Sequence, residues 1–90
     1  MRHELKTDPV PFQAHVDGHK TCELRYHDRA YVVGDELLLR ETRHTGADME
    51  RTQPMVYTGR EMVRRVTHVD RGFAYGLMPG WVALSLEVAQ

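Results

Sequence analysis

The sequence predicts an α+β domain, mostly β, built as a small closed or half-closed β-barrel with one short helix near the N-terminus. Three observations predict it. Short runs alternate apolar and polar residues along most of the chain, and only one early stretch has helical spacing. A length of 90 residues holds one hydrophobic core and not two, so residues 1–90 read as a single domain.

The elements follow in order. His3-Glu4-Leu5-Lys6-Thr7 is short and extended. Asp8-Pro9 then pushes the residue before proline out of the helical region, which starts a helix of one or two turns between Pro9 and Asp17. Phe12, His15 and Val16 recur at helical spacing, and Gly18 supplies the stop. From Thr21 to His27 the chain alternates as a half-buried strand. Cys22, Leu24 and Tyr26 are expected toward the core, while Thr21, Glu23, Arg25 and His27 face the other way. Cys22 is read as a small buried hydrophobe. Val33-Gly34-Asp35 is a turn, and Glu36 to Thr42 is a strand whose leucines imply burial on more than one side. Arg43 to Thr58 loses apolar periodicity and reads as a long loop. Two further strands are expected over Glu61 to Val69 and Trp81 to Val88, with glycine-rich turns between them.

Composition restricts function. The apolar runs are far shorter than the roughly 20 residues that span a bilayer, and the charged opening lacks the apolar stretch of a signal peptide, so a cytoplasmic protein with no membrane partner is expected. Twelve Lys and Arg against thirteen Asp and Glu give a formal charge of -1, so any nucleic-acid binding has to be local. Ten of those twelve cations are arginines. That choice suits planar, bidentate recognition of phosphates and base edges, and it equally follows from genomic base composition.

The most informative stretch is Gly18-His19-Lys20-Thr21-Cys22-Glu23-Leu24-Arg25, which joins the helix to the strand. Glu23 and Arg25 share a strand face with Thr21, and Lys20 sits at the bend, so the four side chains can converge on one spot. Lys20 and Arg25 are donors suited to phosphate or a carbonyl oxygen, and Glu23 can accept from an exocyclic amino group or hold Arg25 in place. The alternative is a solvated face on which Glu23 and Arg25 form an ion pair worth under about 1 kcal/mol.

These residues match GxKxxExR, and on them the chain resembles the ASCH domains of the PUA-like superfamily. It is similar to a small DUF3850-like member, with His3 to Thr7 as the opening HELKT. Asp28-Arg29 with Tyr31-Val32-Val33-Gly34-Asp35 stands for a DRxYxVGD turn, and Tyr57-Thr58-Gly59-Arg60 for a YTGR segment. The resemblance runs from Met1 to about Leu86. It implies a PUA-like barrel with a helix beside it and a cleft that binds RNA, single-stranded nucleic acid or a nucleotide, with no cofactor. Lys6, Lys20, Thr21, Glu23, Arg25, Tyr57 and Arg60 are the ligand-binding candidates, of which Lys6, Tyr57 and Arg60 rest on the resemblance. Some small members of the family hydrolyse an acylated amino group on modified cytidine with a lysine, a threonine and a later glutamate. Lys20 matches that lysine, but Glu23 stands at the threonine's position and no partner glutamate is evident. The alternative function is therefore a hydrolase acting on a modified nucleoside or on RNA, with Lys20 as acid or nucleophile and Glu23 as base.

Other candidates are weaker. Arg64 and Arg65 lie on opposite strand faces, so at most one can reach the cleft. Phe73, Tyr75 and Trp81 could stack on bases, although aromatics beside glycine turns more often plug a core. His15 and His19 have the i, i+4 spacing of zinc helices, but Gly18 separates them and the glutamate of HExxH is missing, so no metal is expected. Ser85 has no nearby acid-base partner for a nucleophilic mechanism.

Overall fold

The computed structural model describes residues 1–26, 29–72 and 75–89. Their helices and strands are β1 (Arg2–Thr7), α1 (Pro9–Val16), β2 (Cys22–Tyr26), β3 (Glu36–Thr42), α2 (Gly46–Arg51), β4 (Tyr57–Arg71) and β5 (Trp81–Val88). The strands form one sheet in the order β1-β3-β4-β5-β2, curled into a half-barrel. β1 runs parallel to β3, and the other neighbours pair antiparallel. The α+β, mostly β expectation therefore holds, but the barrel stops short of closure: β1 and β2 are both edges, and no ladder joins them among the described residues.

The core is set by strand alternation. His3, Leu5 and Thr7 point inward from β1, Leu37 and Leu39 from β3, and Val82, Leu84 and Leu86 from β5. Phe12 of α1 and Tyr31 are buried with them. Leu38 is only half-buried, so the leucine run of β3 has one fully covered face rather than two. The helix begins where Asp8 is held extended (ψ 153°) ahead of Pro9. It ends at Gly18, whose φ of 77° lies in the left-handed region that favours glycine. There the N–H groups of His19 and Lys20 both donate to Ala14 C=O, at 2.9 and 3.1 Å, and this turn feeds the chain into β2.

Two expectations need correction. The 43–58 stretch is not all loop, because α2 is a second helix. Thr45 caps it by accepting from Asp48 N–H at 3.1 Å, and Asp8 Oδ1 accepts from Gly46 N–H at 3.0 Å. Cys22 is exposed, not core. In β2 the inward residues are Glu23 and, partly, Arg25, whereas Leu24 and Tyr26 face outward with exposures of 54% and 56%. His27, Asp28 and Phe73 lie outside the described residues. No helix among the described residues is long and apolar enough to cross a membrane.

The entry to β3 is pinned by buried Asp35. Its carboxylate accepts from His3 Nε2 at 2.8 Å, Val32 N–H at 3.1 Å and the amino group of Met1 at 3.1 Å. Burial pushes this carboxyl up, but the hydrogen bonds from His3 and Val32 and the charged amino group outweigh it, leaving its pKa below the ordinary value. A depressed native pKa contributes stability that is complete above the unfolded value of about 3.9 and is lost as pH falls through the native one. Urea unfolding should therefore show an acid limb below about pH 4 that Asp35→Ala flattens. The same variant should cost about 1.5–3 kcal/mol at neutral pH, because it leaves His3 buried without its acceptor.

Candidate functional site

The helix-to-strand turn places a carboxylate where the half-barrel fails to close. Glu23 is 5% exposed, and its partners come from three directions. His15, on the buried face of α1, lies with Nε2 2.7 Å from Oε1. A carboxylate only accepts, so that ring nitrogen carries the hydrogen, and Nδ1 is left buried with no partner. Arg25 Nε donates to Oε2 at 3.1 Å. Lys20 Nζ stands 3.8 Å from Oε1, within ion-pair range but beyond hydrogen-bond length.

Arg25 has a second task. Its NH2 group donates to Lys6 C=O at 2.7 Å, crossing from the β2 edge to the β1 edge. Arg29 does the same further along, donating to Glu4 C=O at 3.2 Å. The seam is thus bridged by guanidinium groups instead of a backbone ladder.

A cavity of about 270 Å³ opens at one end of this seam, lined by Lys6, Thr7, Asp8, Pro11, Lys20, Glu23, Leu24 and Arg25. Lys6, Lys20, Glu23 and Arg25 of the sequence candidates are therefore brought together, although Lys6 and Glu23 start from opposite sheet faces. The curl brings them to one opening. Lys6 has no ion-pair partner among the described residues, and Asp8 is already engaged with Gly46.

The other candidates lie elsewhere. Thr21 lines a neighbouring hollow with His15, Val16, Arg64 and Leu86, and Lys20 forms the wall between the two. Tyr57 lies on the outer face of β4, where the Arg40 guanidinium stacks 3.6 Å above its ring. Arg40 also binds Glu4 and Glu61, and the hydrogen bond to Glu4 raises its pKa further against the opposing effect of burial. Arg60 braces α1, donating to Gln13 at 3.1 Å and stacking over Phe12, with Glu41 3.7 Å away. Arg64 reaches toward His15 C=O at 3.4 Å, and Arg65 pairs with Glu87, consistent with opposite faces.

Sequence reasoning missed the partnership of His15 with Glu23. The signal was a histidine sharing the buried face of α1 with Phe12, three residues earlier, which requires a polar partner inside. His15 instead drew attention as a metal candidate.

Because both Glu23 oxygens accept from donors, Glu23→Gln either sets an NH2 group against the Arg25 guanidinium or forces His15 into its Nδ1–H tautomer, with that hydrogen buried and unpartnered. Chemical denaturation should show a loss of about 1–3 kcal/mol for Glu23→Gln and about 3–5 kcal/mol for Glu23→Ala, with the m-value unchanged. Wild-type stability in either variant would show that the carboxylate is not the organising group.

With this geometry in hand, comparison with protein families gives a match over residues 2–86 to DUF3850, described as a domain of unknown function. A search of the curated proteins returns no match.

Proposed function

The chain belongs to the DUF3850 family, and from that premise we propose that it is an RNA- or nucleotide-binding domain of the ASCH type within the PUA-like superfamily. Its ligand lies in the cleft framed by Lys6, Lys20 and Arg25. One observation carries the reading: Glu23, the only buried carboxylate among the described residues that line the cleft, is already engaged by His15 and Arg25, so the two lysines keep their ammonium donors for an incoming anion. Three cations around about 270 Å³ fit a phosphate with part of its nucleoside.

The same observation weighs against the hydrolase reading. A general base needs an open lone pair within reach of a substrate proton or water. Glu23 is nearly enclosed, with each oxygen accepting a hydrogen bond, and its role is to orient Arg25 and hold α1. Lys20, partly exposed and beyond hydrogen-bond distance of that carboxylate, serves as a donor to the ligand.

Binding of short labelled RNA oligomers, followed by anisotropy, should be weak and salt-sensitive. Up to three phosphate contacts on a single strand give a slope of log K against log salt near -2. Lys20→Ala should lower affinity by about 10- to 100-fold, the worth of a charge-assisted hydrogen bond. Tight, salt-independent binding would contradict the cationic cleft. Release of cytidine from its acylated form by the wild-type protein, lost in Lys20→Ala, would replace this reading with the hydrolase.

A further inference from the structure

Beyond the cleft, the outer face of the β2–β5 pair carries apolar side chains that the core does not use. Tyr26 and Trp81 are direct cross-strand partners, with ring centroids 6.1 Å apart in an edge-to-face arrangement. Leu24 lies on the same face, and Met78 joins them from the preceding turn. Exposures of 56% for Tyr26, 37% for Trp81 and 69% for Met78 leave this surface open.

A hydrogen-bonded turn braces this surface. Met78 C=O accepts from Trp81 N–H at 3.0 Å, closing a turn with Pro79 and Gly80 in its centre. Gly80 has φ 85°, the type II position, and a Cβ there would fall 2.6 Å from the Tyr26 ring. The Tyr26 ring therefore packs directly on backbone.

The shelf is also continuous with the cleft. A second hollow of about 240 Å³ runs along the seam beyond Arg25 and is lined by Arg25, Tyr26 and Trp81, while Leu24 borders the cleft, this hollow and the shelf. From Lys20 to Tyr26 the chain spans roughly 20 Å if extended, so cation donors at one end lead to exposed aromatic surface at the other. A ligand that matches both has an anion linked covalently to a planar apolar ring.

We propose that Trp81, with Tyr26 and Leu24, is a stacking shelf for an unpaired nucleobase of a single-stranded RNA whose backbone phosphate sits at Lys20 and Arg25. The shelf rests on the binding reading above and extends it to a specific base contact. Trp81 sets how strongly single strands are held, through its π-face and without a preference for one base.

Trp81 is the sole tryptophan, so its fluorescence reports the contact directly. Titration with oligouridylate and with an abasic ribose-phosphate oligomer of equal length should quench Trp81 emission in the first case only. Anisotropy should show the base-containing oligomer bound about tenfold or more tightly. Trp81→Ala should remove that advantage and Trp81→Phe should keep most of it, while Lys20→Ala weakens both oligomers. Oligouridylate binding with unchanged emission, and with Trp81→Ala affinity equal to wild type, would overturn the shelf and leave the cleft reading standing. Absence of binding by either oligomer would remove both. Emission that shifts with protein concentration alone, together with dimerisation in sedimentation, would assign the surface to a second copy and overturn the proposal.

Discussion

A carboxylate buried where a sheet fails to close has to be matched, and the arrangement of this half-barrel follows from how Glu23 is matched. The helix supplies His15, the strand itself supplies Arg25, and Arg25 carries the connection on to the backbone of β1. One acidic side chain therefore fixes the seat of α1, the position of the β2 edge and the width of the gap between the edges. Taking any one partner away leaves a buried donor or charge uncompensated, which costs more than the pair gains by existing.

The same device is used twice. His3 and Asp35 form a second buried histidine–carboxylate pair, tying the start of β1 to the start of β3 through 2.8 Å. In a chain this short the apolar core cannot by itself enforce one arrangement of elements. Directional polar pairs at the two ends of the edge strand β1 add register where hydrophobic contact is indifferent to it. One pair turns inward and is closed off by Tyr31, whose ring lies 4.8 Å from His3. The other adjoins the cleft, where Glu23 lines the cavity wall.

Much of this was legible in the sequence. The extents of β3 and β5, the start and stop of α1, and the convergence of Lys20, Glu23 and Arg25 follow from periodicity, proline and glycine placement, and strand geometry. The facing of β2 was not legible: alternation says that Cys22, Leu24 and Tyr26 share a side but not which side, and hydrophobicity chose the wrong one. The true choice depends on His15, eight residues away, and on the seam, neither of which leaves a local trace. β4 extends over Tyr57–Arg71, well past the Glu61 to Val69 expected, because its ends carry polar side chains on an outer face and a register shift between Val66 and His68 interrupts the alternation. α2 was hidden by its shortness, though Thr45 three residues ahead of Asp48 is a capping signal. Tyr57 and Arg60 were drawn into the cleft by motif alone, and their actual partners Arg40, Gln13 and Phe12 are visible only in three dimensions.

An open sheet ordinarily advertises its outermost strands as templates on which another chain can polymerise. Here the curl turns the two margins toward each other, and Arg25 and Arg29 occupy the carbonyls of Lys6 and Glu4 that such a template would offer. A strand adding itself along this edge of β1 would therefore meet charge and occupied acceptors. The gap between the two edges is polar and filled by these side chains, which disfavours entry of another copy of the backbone.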